Sequence, residues 1–152
     1  MDAYDLYVTL HVAGAVVWVG GNSMVAILSA RKIKRNRPEE LESFVSDLTY
    51  LTPRFFIPVS LLTVAFGVVS VWKGPFEFSD PWVGAGLTMF IISFLIGAAY
   101  LGPQVEKMDE LSEAGGSASD EWNERLHRVL IASRIELALL WLTVIVMVVK
   151  PS

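Results

Sequence analysis

Four side chains with ligand or proton chemistry stand where apolar residues dominate. They are His11 in the run Leu6–Ala30, Met89 in Trp82–Leu101, and Arg134 and Glu136 in Val129–Val149. A polar or ionisable group at bilayer depth is expensive, and each is a functional-site candidate by default. Neutral imidazole is a frequent ligand of metals and haem, so His11 leads. On a helix, His11, Gly14, Trp18 and Gly21 or Asn22 share one face. This stripe is expected to turn toward other helices rather than toward lipid, with Trp18 beside any cofactor that His11 holds. At a rise of about 1.5 Å per residue, His11 lies roughly 8–12 Å from the outer end of its run, and Met89 is about level with it. Met147 lies nearer the outer surface. Two chemistries follow: a five-coordinate metal or haem on His11, or a pair of ligands from His11 and Met89. The blander alternatives are a histidine hydrogen-bonded across helices and a methionine that only packs. His127 falls on the order of 20 Å away by the same rise, so one haem bridging both histidines is excluded. It stands beside Glu124 and Arg128 and is expected at the surface.

Arg134 and Glu136 are two positions apart and therefore about 200° apart around a helix, so they cannot simply pair with each other. Asn22 comes to a comparable depth, and Arg54 begins the second apolar run nearby. The expectation is a polar cluster of Asn22, Arg54, Arg134 and Glu136 toward the inner side. It would serve as a propionate or anion site through its arginines and as a proton relay through Glu136. The alternative is charge placement that fixes helix register.

The elements that must position these residues are four apolar runs: Leu6–Ala30, Phe55–Trp72, Trp82–Leu101 and Val129–Val149. The chain has 152 residues, 53% of them hydrophobic, and a mean hydropathy of +0.50. A bilayer core of about 30 Å takes roughly 20 apolar residues in a helix, and charges crowd between the runs rather than within them. The fold class expected is an all-α membrane protein, an antiparallel bundle of four transmembrane helices forming a single domain over residues 1–152. Spans are expected near 6–30, 53–73, 82–102 and 128–149, with connections at 31–52 and 103–127. Pro38-Glu39-Glu40 opens a segment with Leu41, Phe44, Val45 and Leu48 at helical spacing. It is either an amphipathic helix at the inner surface or an extension of the second span. Thr52-Pro53 starts that span and Pro58 is expected to kink it. Ser60, Thr63, Gly67 and Ser70 form a small-residue packing stripe. Gly86, Met89, Ser93 and Gly97 share a face of the third span, which is expected to stop at Gly102-Pro103. Ala114–Ser119 reads as a flexible linker, and Ser119 as the cap of a last helix that ends before Pro151.

Basic residues concentrate in the first connection and its edges (Arg31, Lys32, Lys34, Arg35, Arg37, Arg54) and in the third (Lys107, Arg125, Arg128). Positive residues mark the cytoplasmic side, which puts both termini outside a bacterial or archaeal cytoplasmic membrane. The lipid bilayer is then the first partner. The basic run Arg31–Arg37 suits topology and anionic lipid, not nucleic acid. The sequence contains no cysteine, which removes disulfides, thiolate metal sites and covalent haem attachment. It carries no phosphate-binding glycine loop, nucleophile elbow or His-Glu-x-x-His motif.

The stretch Leu10-His11-Val12-Ala13-Gly14-Ala15-Val16-Val17-Trp18-Val19-Gly20-Gly21 resembles the opening helix of small bacterial predicted integral membrane proteins of unknown function, near the HemJ-like and copper-resistance D groups. Ser133-Arg134-Ile135-Glu136-Leu137 and Val149-Lys150-Pro151 look like the closing helix of the uncharacterised group. The resemblance implies a four-helix membrane bundle. In HemJ-like proteins it also implies haem b on the first-helix histidine, here His11, and oxidation of a porphyrinogen. The partner lysine of that group, inside a later helix, has no counterpart in the third or fourth run. Copper transport would want more Met and His ligands than this chain supplies.

The function expected is therefore a membrane haem protein with a redox role, electron transfer or porphyrinogen oxidation. His11 is its axial ligand, and Trp18, Met89 and Arg134 complete the cofactor site. If the protein is an enzyme, it is a HemJ-like membrane oxidoreductase. A different class is a non-catalytic bundle packing as a homo-oligomer or in a larger complex with a membrane partner. A third reading is a small transporter or proton path through Glu136 and Arg134.

Overall fold

A computed structural model describes residues 2–116 and 119–150. Among them the chain is helical throughout, with no strand. The elements are α1 (Ala3–Arg35), α2 (Pro38–Leu51), α3 (Ile57–Lys73), α4 (Pro81–Phe94), α5 (Gly102–Glu113) and α6 (Asp120–Val149). A π-helical turn (Thr52–Phe56) joins α2 to α3, and a second (Leu95–Leu101) joins α4 to α5. Four continuous rods result, Ala3–Arg35, Pro38–Lys73, Pro81–Glu113 and Asp120–Val149, each long and apolar enough to cross a membrane.

Local signals set the rod ends. Asp2 accepts a hydrogen bond from the Asp5 backbone at 2.8 Å and Asp5 reciprocates, a capping box made of two aspartates. Asn36 closes α1 in the left-handed conformation at φ 51°, a geometry asparagine tolerates better than most residues. Pro38 then occupies the first turn of α2, where a missing N–H costs nothing. Gly115, at φ +79°, ends α5. The N–H of Gly116 reaches the Leu111 carbonyl and that of Gly115 the Ser112 carbonyl, a Schellman turn. Ser119 caps α6 by accepting from the Trp122 N–H, as its position before Asp120 and Glu121 predicts. Ser117 and Ala118 of the expected linker, and Pro151, lie outside the described residues.

The segment opened by Pro38 is the extension of the second rod, one of the two expected alternatives, and that rod runs unbroken from Pro38 to Lys73. The third does not stop at Gly102-Pro103; it continues through Val105, Met108 and Leu111 to Glu113. Each of these two rods passes a proline just after a π turn. A proline ring inside an α-helix collides with the carbonyl four residues back. In each rod a π turn ends at the residue just before a proline: the Ile57 N–H reaches Thr52 ahead of Pro58, and the Gly102 N–H reaches Gly97 ahead of Pro103. The extra residue per turn shifts the carbonyl register, and the rod passes the ring. A rod of 36 residues is about 54 Å long, well beyond a bilayer core, so α2 and α5 stand clear of it.

The α2 and α5 extensions pack on each other and on the start of α6. Val45, Val105, Met108, Trp122 and Val129 form a dry core, and the Trp122 indole N–H donates to Ser112 at 3.0 Å. Within the bundle the pattern inverts. The buried positions include Ser60, Thr63, Ser70, Ser93 and Glu136, while Val16, Ile27, Leu62, Ile145 and Val148 face outward more than half exposed. Exposed apolar surface on this scale is stable only against lipid.

The rods are antiparallel. Tyr4 lies at Gly74 and Gly14 at Thr63, while Gly86 lies at Met147 and Gly97 at Glu136. One end therefore holds the first and last described residues with the α3–α4 loop, and is called the terminal end. The opposite, basic end holds Arg31–Arg37 and the α2/α5 core. The most extensive packing is α1 against α3, where a methyl placed on Gly14 would overlap Thr63 Oγ1. Gly14→Val is expected to cost about 1–3 kcal/mol by overpacking. Thermal unfolding in detergent should show this as a fall of roughly 2–12 °C, at about 2–4 °C per kcal/mol. An unchanged midpoint would contradict the packing described.

Candidate functional site: two cavities on either side of Trp18

His11 sits on α1 three residues before Gly14, on the face that meets α3. Its Nδ1 is 2.7 Å from the Thr63 carbonyl oxygen. A carbonyl only accepts, so Nδ1 carries the proton and donates, and Nε2 of the neutral ring keeps its lone pair. The ring lies flat enough against Gly67 that an added methyl would come within 2.8 Å of Cε1 and Nδ1. Thr63 and Gly67 thus form a seat for the imidazole. The Thr63 hydroxyl is occupied elsewhere, donating to Val59.

The ring opens on a cavity of about 560 Å³ at the terminal end. Its walls are almost entirely apolar and include Trp18, Phe90, Trp82 and Met147. Lys150 stands at the rim, its ammonium 4.1 Å from the Phe76 ring centre and 5.1 Å from that of Trp82. Trp18 is buried and meets Phe90 edge to face at 5.6 Å. With Val19 and Leu140 it forms the floor.

Below that floor lies a second cavity of about 150 Å³, toward the basic end, and Trp18 lines this one too. Its polar residues include Asn22, Ser60, Ser133, Arg134 and Glu136, and both π turns contribute walls through Thr52, Phe56, Gly97 and Ala98. Glu136 is 5% exposed. An added methyl on Gly97 would sit 2.7 Å from its Oε1, so the glycine makes room for the carboxylate.

The residues singled out from the sequence sort between these spaces. His11 and Trp18 share the larger cavity. Met89 does not line it; one residue further along α4, Phe90 does. The pairing of His11 with Met89 is therefore corrected, because the face of α4 turned to His11 runs through Gly86 and Phe90. Arg134 lines the smaller cavity, on the other side of the Trp18 floor from His11, so it is not a neighbour of any group His11 would hold. Asn22, Arg134 and Glu136 come together as expected, but Arg54 does not join them. It is exposed, with its guanidinium 4.3 Å from the Tyr50 ring centre and bonded to the Tyr50 carbonyl. The π turn rotates this position outward. His127 is exposed, as expected. Thr63, Phe90, Leu140 and Lys150 escaped the sequence reading as site residues. Lys150, at the end of the last apolar run, carried the one signal that could have found it.

The fold and site define a class: an integral, multi-pass membrane protein of four apolar helices with two clefts between them. The chain belongs to the predicted integral membrane protein family DUF2269, whose model matches residues 5–151. No curated protein and no solved structure matches it.

The seat of His11 fixes its tautomer. At pH 8, where an ordinary imidazole is neutral, ¹⁵N spectra of the His11 ring should show a protonated Nδ1 and a bare Nε2. The opposite tautomer would refute the Thr63 contact.

Proposed function

We propose that this protein binds haem b, or a closely similar metal tetrapyrrole, in the terminal-end cavity with His11 Nε2 as axial ligand, and that it serves a redox role in the membrane. The observation that carries the reading is the His11–Thr63 hydrogen bond beside the larger cavity. Histidine ligands are commonly held by donating their other nitrogen to a carbonyl or carboxylate, which fixes the ring and raises its basicity. The fit of the residues supports the same group. The cavity volume is within the range of cofactor sites, its walls are apolar and aromatic, and one cation stands at the rim. A single imidazole is enough for five-coordinate iron. The likeness of Leu10–Gly21 to the opening helix near the HemJ-like group points the same way.

Haem, when bound, supplies the electron chemistry. The chain's own residues do the rest. Thr63 and Gly67 hold the imidazole, Trp18 and Phe90 close the floor against water, and Lys150 offers a positive charge to an acidic edge of the ligand. The orientation that goes with this reading puts the terminal end outside a cytoplasmic membrane. The bases for it are the arginines and lysines of 31–37, 107, 125 and 128 at the other end.

Two measurements test the proposal. Purified after expression with ample haem, the protein should show a Soret band that His11→Ala abolishes and Lys150→Ala weakens. A colourless protein that also fails to shift the spectrum of added haemin would sink it. Because the chain lacks cysteine, single cysteines at Asp2 and at Arg37 report topology directly. An impermeant thiol reagent applied to intact cells should label the first and spare the second, and the reverse pattern would invert the orientation.

A further inference from the structure

We propose that the smaller cavity is a binding site for one monovalent alkali cation, with the Glu136 carboxylate as its charged ligand. Glu136 is 95% buried, taking the complement of its 5% exposure. Among the described residues it forms neither an ion pair nor a side-chain hydrogen bond, although it lines a cavity. An uncompensated carboxylate in such a place is costly.

Several polar residues that line the same cavity keep an oxygen acceptor while their own protons are committed elsewhere. The Asn22 amide N–H donates to the Trp18 carbonyl at 3.0 Å, which leaves its Oδ1 free. Ser60 donates to the Ile57 carbonyl at 2.9 Å and Ser133 to the Val129 carbonyl at 2.7 Å, so each keeps lone pairs. The backbone adds another acceptor. The Ala98 carbonyl would take the Gly102 N–H in an α-helix or the next residue's N–H in a π-helix. The Gly102 N–H goes to Gly97, and the next residue is Pro103, which has none. Ala98 lines this cavity. Carboxylate, carbonyl, amide and hydroxyl groups among the residues lining an otherwise apolar cavity suit a hard cation, and unwound helix carbonyls at membrane depth are a recurrent way to hold sodium.

Charge selects the ion. Glu136 is the one carboxylate lining the cavity. Arg134, exposed, also lines it and forms no ion pair with Glu136. One negative charge with a guanidinium nearby matches a singly charged cation and disfavours calcium or magnesium.

The test uses the full chain in detergent at constant ionic strength. The midpoint of thermal unfolding is compared in sodium chloride, potassium chloride and N-methylglucamine chloride, alongside equilibrium uptake of ²²Na⁺ and ⁸⁶Rb⁺. The expected result is a saturable rise of several degrees with sodium or potassium over N-methylglucamine, and uptake of one ion per chain. Glu136→Gln should lower the affinity at least tenfold. Gly97→Ala, whose methyl would crowd Oε1, should lower it too. A wild-type protein indifferent to the three cations, with no saturable uptake, overturns the proposal, and so does a response retained in full by Glu136→Gln. If that variant does not fold, the wild-type uptake and Gly97→Ala decide.

Discussion

The arrangement rests on how closely α1 approaches α3. The contact is made by Gly14 over Thr63 and by the His11 ring over Gly67, with backbone nearly touching side chain along two turns. In lipid, helices gain little from hiding apolar surface from each other, since the acyl chains are as apolar as leucine. Close packing and interhelical hydrogen bonds must supply the attraction. The His11–Thr63 bond belongs to this interface as well as to the candidate site. The same geometry therefore joins the first two rods and fixes which imidazole nitrogen is available.

The other half of the bundle follows a parallel logic with different residues. Gly86 receives the Met147 side chain, and Gly97 receives Glu136. A glycine on α4 or its π turn thus accommodates a long side chain of α6 at two levels. A π turn precedes Pro58 and Pro103 in their continuous rods. Those turns widen the helices beside the smaller cavity, so the devices that carry the rods past their prolines also provide its walls.

Much of this was legible beforehand, and the exceptions have identifiable causes. The four rods, the Ser119 cap, and the inward face of His11, Gly14 and Trp18 all follow from periodicity and capping chemistry. Asn22 and Glu136 line the same cavity, at the common depth that counting along the runs gives them. Arg54 was misjudged because depth says nothing about azimuth, and a π turn changes azimuth by inserting a residue into the turn. Met89 was placed with Gly86, Ser93 and Gly97, and that face is indeed packed, but the large side chain that α4 turns into the His11 cavity is Phe90, not Met89. The run-on of the third rod through Gly102-Pro103 could not be read locally, because both residues signal termination and only the preceding π turn cancels them.

Trp18 is shared by both cavities, and with Leu140 it is the apolar partition between them. One cavity extends toward the terminal end and the other toward the basic end. The imidazole of His11 and the carboxylate of Glu136 are therefore kept in separate compartments by little more than one indole, and a small residue in place of Trp18 would open the two spaces into one.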